Sequence, residues 1–293
     1  MSKKIVIISD FFKQDYISNN HPVGGAELND DVLFSHLESI DLVKNKLHSN
    51  ELADQEMINF IKTHIDCLFL ISNFANMSPL VSTFLAMNCE YVIYEHDYKF
   101  HKYRNPLNYR DFIVPKNEIV NFNFFKNAKK TICLSKLHFD IFKKNLGLKN
   151  LYNTTCSLWS DEDLNFIESL TTEEKRDVYA VVDSKNPIKR TPECVSFCEK
   201  NNLKFELISD PNYHSFLRKM ASCKRLVALP GHPEPTPRVI VEAKMLGCEV
   251  YSNKTTVGVF YEDWFSLSGT ELVMHLRNLK ASILRTITEI CLE

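Results

Sequence analysis

The sequence predicts an α/β protein built from two doubly wound domains. Three observations carry this. Short apolar runs of strand length alternate with helix-length segments from end to end, the pattern of βαβ units on parallel sheets. That rhythm pauses between 151 and 177 and then restarts. The length of 293 residues fits one large or two modest domains. A composition of 44% hydrophobic and 25% charged residues excludes disorder and fibrous architectures.

In chain order, strands are predicted over 4–9, 67–72, 90–94, 130–134, 178–182, 204–208, 225–229 and 249–252. Helices are predicted near 25–38, 51–63, 79–87, 117–127, 136–145, 190–201, 213–221, 237–246 and 270–291. The pause holds Trp159 and a polar helix-like piece. The expected division is an N-terminal Rossmann-like domain over 1–157, a C-terminal one over 158–270, and a last helix, 271–293, crossing back to the first. Lys3 and Lys4 precede Ile5-Val6-Ile7-Ile8, a run too short for a signal-peptide core, so it reads as a buried strand. No stretch approaches the ~18 apolar residues of a membrane-spanning helix. Nine cysteines lack paired spacing, and Cys194 and Cys198 fit one helix face better than a zinc knuckle, so a reduced, cytoplasmic protein is expected.

Glycine is scarce, with seven in the chain at 24, 25, 147, 231, 247, 258 and 269. No arrangement of these yields Gly-x-Gly-x-x-Gly or a Walker loop, which removes the main support for dehydrogenase and P-loop readings. Net charge is only −2, yet it is unevenly spread. Residues 1–95 carry 6 basic and 13 acidic side chains, whereas 96–150 carry 12 basic and 4 acidic. That basic block interleaves Tyr98, Phe100, Tyr103, Tyr109, Phe112, Phe122, Phe124 and Phe125, a pattern compatible with phosphate contacts and base stacking or with an anionic lipid surface.

The richest stretch is 230–250, PGHPEPTPRVIVEAKMLGCEV. Thr236 before Pro237 reads as an N-cap with proline at the first helical position, and Gly247 stands where a C-cap glycine belongs. A helix that starts directly after strand 225–229 has its N-terminus at the carboxyl edge of the sheet, where ligands bind and free N–H groups favour an anion such as diphosphate. Arg238 and Glu242 share a face, and Glu234 lies in the turn before the cap. Two glutamates so placed can hold the two hydroxyl-bearing ends of a nucleotide sugar.

Glu234, seven residues, Glu242-Ala243, then Leu246-Gly247-Cys248 and Val250 resembles the donor-binding signature of the retaining glycosyltransferases of family 4, which have the GT-B fold. The resemblance implies two Rossmann-like domains facing across a cleft, with the first glutamate on the donor sugar and the second on the nucleotide ribose. Gly24-Gly25-Ala26-Glu27 is similar to the family's glycine pair opening the first helix, and Asn186-Pro187-Ile188-Lys189 to its diphosphate-binding lysine. Two departures stand out. The family's Arg five residues before that lysine is Ser184 here, with Lys185 beside it, and the glycine after the lysine is Arg190. One phosphate-neutralising charge is then missing or is supplied differently, by Lys185, Arg190 or Arg238.

Glu95-His96-Asp97 closes strand 90–94, and three ionisable residues there are costly unless used. The resemblance puts a sugar-contacting histidine near here, and His96 matches; Asp97 or Glu95 would contact the acceptor hydroxyl or orient His96. Asp161-Glu162-Asp163 imitates an Asp-x-Asp metal motif but follows Ser160, so it reads as an acid-rich first helical turn and no metal is expected.

The resulting expectation is a retaining, metal-independent glycosyltransferase with a nucleoside diphosphate sugar, a UDP-sugar first, as co-substrate and no cofactor. Gly24, Gly25, Lys185, Lys189, Glu234, Arg238 and Glu242 would hold the donor; Glu95, His96, Asp97 and Glu234 would be catalytic; Lys99, Lys102 and Arg104 would meet the acceptor. Tailed phages carry compact enzymes of this fold that glycosylate hydroxymethylated cytosine, and the short chain suits that acceptor, double-stranded DNA. A lipid-linked or polysaccharide precursor is the alternative, and a non-catalytic nucleotide-sugar-binding module the second. The sequence leaves the oligomeric state open.

Overall fold

The computed structural model describes residues 3–19 and 21–293. Two separate sheets, both wholly parallel, organise the chain. The first contains β1 (Ile5–Ser9), β2 (Val43–His48), β3 (Leu68–Ile71), β4 (Glu90–Tyr94), β5 (Lys130–Cys133) and β6 (Leu151–Asn153), in the order β2-β1-β3-β4-β5-β6. Its helices are α1 (Lys13–Ser18), α2 (Gly25–Ser39), α3 (Asp54–Thr63), α4 (Pro79–Asn88), α5 (Phe122–Asn127) and α6 (Lys136–Leu146). After α7 (Asp161–Ser169), the second sheet follows: β7 (Arg176–Val182), β8 (Phe205–Ile208), β9 (Cys223–Ala228) and β10 (Glu249–Ser252), in the order β10-β9-β7-β8. Helices α8 (Thr191–Lys200), α9 (Tyr213–Ala221) and α10 (Arg238–Met245) connect these strands, and α11 (Gly269–Leu292) closes the chain.

Each sheet reverses its winding once, between β1 and β3 in the first and between β7 and β9 in the second. Such switch points open a crevice at the carboxyl ends of the strands. Strand alternation builds the core on both faces: Ile5 and Ile7 point to one, Val6 and Ile8 to the other, all fully buried. Each such side chain contributes roughly 1.5–3 kcal/mol by leaving water. One apolar cluster runs without a break from Ile7 and Leu33 through Trp159 to Ile240 and Ile287, so the two sheets share a core. Helix α11 packs on α10, α7 and α2, and Thr288 hydrogen-bonds His36 of α2 at 3.2 Å.

Several sequence expectations need correcting. Strand β2, sequence VKNKLH, was not expected, because Lys44, Asn45 and Lys46 are exposed on an edge strand and break the apolar pattern. The short edge strand β6 and the small helix α1 are likewise additions. The predicted helix over 117–127 is a 3-10 turn at Lys116–Glu118 and then α5, with Asn121 at φ +57 between them. Thr236 does not cap α10. Its hydroxyl donates to the Leu134 carbonyl of the first sheet at 2.8 Å, and Pro237 is the N-cap residue. Asp161-Glu162-Asp163 does open α7, with Ser160 Oγ accepting from the Asp163 amide at 3.0 Å.

Candidate functional site

Two adjoining cavities of about 490 and 500 Å³ lie between the carboxyl ends of the two sheets. Gly25, Lys189 and Arg238 belong to the walls of both, so they form one cleft. Helix α10 places Glu242 at the first cavity, while the turn before α10 places Glu234 at the second.

Glu242 is buried, and one of its two carboxylate oxygens is heavily engaged. Its Oε1 accepts from Tyr213 Oη at 2.6 Å and from Trp159 Nε1 at 3.0 Å, and lies 3.2 Å from Arg238 Nε. Arg238, also buried, donates to the Leu158 carbonyl and to Tyr213 Oη, and its guanidinium stacks 4.5 Å above the Trp159 ring. Burial works against the cation, but Tyr213 and Glu242 hold its pKa above the ordinary arginine value. Neither Tyr213 nor Trp159 was singled out from the sequence as a site residue. Tyr213 lies in an ordinary amphipathic helix, and Trp159 reads as core.

The glycine pair serves two different ends. Gly24 is the N-cap of α2, and a Cβ there would collide with the Glu27 carboxylate curled back over the helix start. Burial raises the Glu27 pKa, and neighbouring Asp30 adds to it. Gly25 faces the cleft, where a Cβ would come within 3.3 Å of Arg238 Cδ. The start of α2 thus sits directly against α10.

Lys189 closes a 3-10 turn after β7, and its Nζ contacts both Glu234 oxygens at 2.9 and 3.0 Å. Lys185 is exposed and lines neither cavity, so the structure does not bring it to the donor residues. Arg190 pairs with Glu193 and packs on Gly231 instead. Of the three candidate replacement charges, only Arg238 stands in the cleft.

On the opposite wall, His96 Nε2 is 2.7 Å from Asp30 Oδ1 and 3.1 Å from Ser72 Oγ. Burial disfavours its charged form, yet Asp30 outweighs this and lifts the His96 pKa. Asp97 and Arg104 line the same cavity and are paired with each other. Glu95 is completely buried and does not reach the cavity. Lys99 overturns the expectation of an exposed acceptor contact: it is 3% exposed and bonds Glu95 at 2.8 Å and Asp97 at 3.1 Å. The reason is local, since the chain after β4 turns inward and carries Tyr98, Lys99 and Phe100 into the core. The interleaved aromatics are corrected with it. Tyr98, Phe100, Phe124 and Phe125 are core residues, and of the eight only Tyr103, 56% exposed, stands at the cavity. Lys102 is exposed over the Tyr103 ring and lies outside both cavities.

The sequence matches no protein-family model and no curated protein. Solved structures do match. Anabaena HepE in complex with UDP and glucose superposes with a TM-score of 0.56, covering 98% of this chain and 99% of that one at 14% identity. HepE with UDP-glucose gives 0.51 over 99% and 92% at 14% identity. An α-glucosyltransferase in complex with UDP and a 13-mer DNA containing an HMU base gives 0.52 over all of both chains at 10% identity.

The fold is GT-B.

The GT-B cleft has further polar residues that the sequence did not advertise. His232, in the turn before α10, lines the second cavity, and burial lowers its pKa. His138 is buried behind the wall. Its Nδ1 accepts from the Leu134 amide at 3.2 Å and its Nε2 sits 2.6 Å from the Asp97 carbonyl, so Nε2 carries the proton. Burial depresses the His138 pKa to about 3. Among the described residues, no group of three or more His, Cys, Asp or Glu is arranged to hold a metal ion, and no helix is long and apolar enough to cross a membrane. All nine cysteines are free.

Proposed function

We propose that this chain is a glycosyltransferase of the cytoplasm that takes the sugar of a UDP-sugar and passes it to an acceptor hydroxyl, with retention and without a metal ion. The observation that carries the reading is the placement of Glu242 in one cavity and Glu234 in the next, with Lys189 and Arg238 on the wall they share. The first cavity takes the nucleoside, the shared wall the diphosphate, and the second cavity the sugar and the acceptor. Each volume falls in the ~300–1,000 Å³ range of small-molecule sites. In this reading 1–157 is the acceptor domain, 158–270 the donor domain, and 271–293 the helix that returns to the first.

The chemistry follows from the charges. As the bond between the anomeric carbon and the β-phosphate oxygen breaks, negative charge grows on the leaving diphosphate. Lys189, Arg238 and the free N–H groups of α10 meet it in place. The acceptor oxygen bonds to the same face of the anomeric carbon, and its proton passes to the departing phosphate oxygen. Glu234 accepts from sugar hydroxyls once Lys189 turns to phosphate, and His96, whose pKa Asp30 lifts, lies beside the sugar.

For the acceptor we propose a hydroxymethylated cytosine in duplex DNA. Two observations support it: Tyr103 and Arg104 line the second cavity together, and a neighbour of the same fold was crystallised with UDP and a DNA containing an HMU base. The test offers radiolabelled UDP-sugars with hydroxymethylated DNA, unmodified DNA and an anionic lipid-linked sugar side by side. Label only in the lipid-linked acceptor rejects DNA and keeps the donor site. Neither transfer nor slow donor hydrolysis, with UDP still bound, would leave a nucleotide-sugar-binding module.

A further inference from the structure

Arg104 reaches the second cavity on a backbone that few arginines adopt. Its φ is +53, the left-handed region, and such conformations persist only where surrounding structure holds them. Here it does. The Arg104 amide donates to the His101 carbonyl at 2.9 Å, and the next amide, Asn105, donates to His101 Nδ1 at 3.1 Å. The Asn105 side chain then crosses the cleft to the Gly231 carbonyl at 3.3 Å. Arg104 is fixed between the two halves of the molecule, with its side chain 45% exposed.

Behind it lies a buried row of charges. Asp97 Oδ2 accepts from Arg104, and Asp97 Oδ1 accepts from Lys99 Nζ at 3.1 Å. Lys99 Nζ also donates to Glu95 Oε1 at 2.8 Å, and that oxygen accepts from the Asp97 amide at 3.0 Å. The two cations, Lys99 and Arg104, both draw on Asp97, and only Lys99 also bonds Glu95. Asp97 divides its charge between Lys99 and Arg104, so the guanidinium at the cavity is only partly neutralised. A simple Asp97–Arg104 pair would leave it far less to offer an anion. Arg104 donates to Asp97 through Nη2 alone, which leaves the other edge of its planar fork for the geometry that matches a phosphate. His96 and His232 line the same cavity, and no carboxylate there except Asp97 and Glu234 competes, the latter held by Lys189.

We propose that Arg104 binds a phosphate ester of the acceptor, and that the buried Glu95–Lys99–Asp97 row is a strut that both positions the guanidinium and keeps Asp97 from neutralising it. This rests on the reading of the second cavity as the acceptor's. Arg104 is the binding group; Lys99 and Glu95 are positioning residues that never touch the acceptor.

The experiment compares wild type, Arg104→Ala, the charge-neutral double variant Glu95→Gln with Lys99→Gln, and all three changes together. Three probes are used: a hydroxymethylated DNA duplex, the free hydroxymethylated nucleoside monophosphate, and the corresponding nucleoside without phosphate. Arg104→Ala is expected to raise KM for both phosphate-bearing acceptors at least tenfold, KM for the nucleoside less than twofold, and KM for the UDP-sugar less than twofold. The double variant is expected to raise the same acceptor KM values about fivefold or more, with the triple variant no worse than Arg104→Ala, because strut and arginine act as a unit. If the double variant does not fold, Lys99→Arg, which keeps the cation, must retain wild-type KM values while Lys99→Met does not. An equal loss with the phosphate-free nucleoside, or effects that multiply in the triple variant, overturns the proposal. A loss confined to the UDP-sugar also overturns it, by moving Arg104 to the donor. A duplex effect without a monophosphate effect assigns the contact to a neighbouring backbone phosphate; an effect on both assigns it to the target nucleotide. If no acceptor is glycosylated, duplex and monophosphate binding to the UDP-loaded protein replaces KM, and binding unaltered by Arg104→Ala overturns the proposal independently of catalysis.

Discussion

Lys189 Nζ holds both carboxylate oxygens of Glu234, at 2.9 and 3.0 Å, across the loops that follow β7 and β9. The sequence separates these residues by 45 positions, and they meet where the second sheet has its switch point. The contact occupies the group that would hold the sugar with the group that would hold the diphosphate. Binding of the diphosphate should therefore free Glu234 for the sugar.

Glu234→Ala is expected to leave the affinity for free UDP within about twofold and to raise KM for the UDP-sugar. Lys189→Met should weaken both ligands, by about ten- to a hundredfold for the loss of a charged hydrogen bond of roughly 1.5–3 kcal/mol. Isothermal titration of UDP and UDP-sugar against each variant separates the two. Identical behaviour of the variants would show that the division of roles is wrong.

Glu242 carries more structure than Glu234, because it is the acceptor for Trp159 and Tyr213 and the counter-charge of buried Arg238. Glu242→Ala should lose about 3–5 kcal/mol of stability, since a buried cation is left without its partner. Glu242→Gln keeps the shape and part of the bonding. It should unfold at a lower urea concentration than wild type but at a higher one than the alanine variant, and bind UDP about tenfold more weakly. UDP affinity unchanged in the glutamine variant would remove the nucleoside from the first cavity.

Gly25→Ala puts a methyl 3.3 Å from Arg238 Cδ, and Arg238 has no room to yield because Leu158, Tyr213 and Trp159 pin it. Overpacking of this kind costs about 1–3 kcal/mol. The urea midpoint and the UDP affinity should fall together. A stable Gly25→Ala variant with normal UDP binding would mean that α2 and α10 are not in firm contact.

Acid stability provides a test of the buried wall. His138 has a folded pKa of about 3, below that of the unfolded chain. The unfolded state binds the proton first, so this group's stability is present above about 6.5 and is lost as pH falls towards 3, by up to about 1.4 kcal/mol per pH unit. Glu95 acts with the opposite sign. Burial raises its pKa, so the folded state takes up a proton from the ordinary carboxylate range upward, and stability is gained as pH falls. The two offset each other in mildly acid solution. Glu95→Gln should expose the His138 dependence, with Tm falling steadily below pH 6.5, while wild-type Tm holds until about 4.5 and then drops. Parallel Tm profiles for the two proteins would contradict the assignment.

The placement of the candidate cleft residues was legible in the sequence where they sit beside strong local signals. A buried strand, a proline-rich turn and a helix ending just before Gly247 place Glu234 and Glu242 at a sheet edge. Gly24-Gly25 and Lys189 are marked in the same way, by the start of α2 and by the turn that follows β7. Lys99 was misread for a definite reason. A lysine in a basic stretch is ordinarily solvated, and nothing in one dimension shows that Glu95 and Asp97 fold over it inside the core. Asp30 is one acid among several on α2, and only the folded chain brings it to His96.

The sequence by itself determined the α/β class, the two parallel sheets and the residues at their carboxyl edges, because apolar periodicity and helix caps act over a few residues. Only the tertiary structure decided which of those residues share a wall: Lys189 with Glu234, Trp159 and Tyr213 with Glu242, Asp30 with His96, and Glu95 with Lys99. It also decided that Arg238 stands in the cleft and Lys185 does not. The physical reason is that burial and partner choice follow from packing two sheets on one continuous core. That packing brings together polar groups 4 to 83 positions apart, and a charge leaves water only where such a partner waits for it.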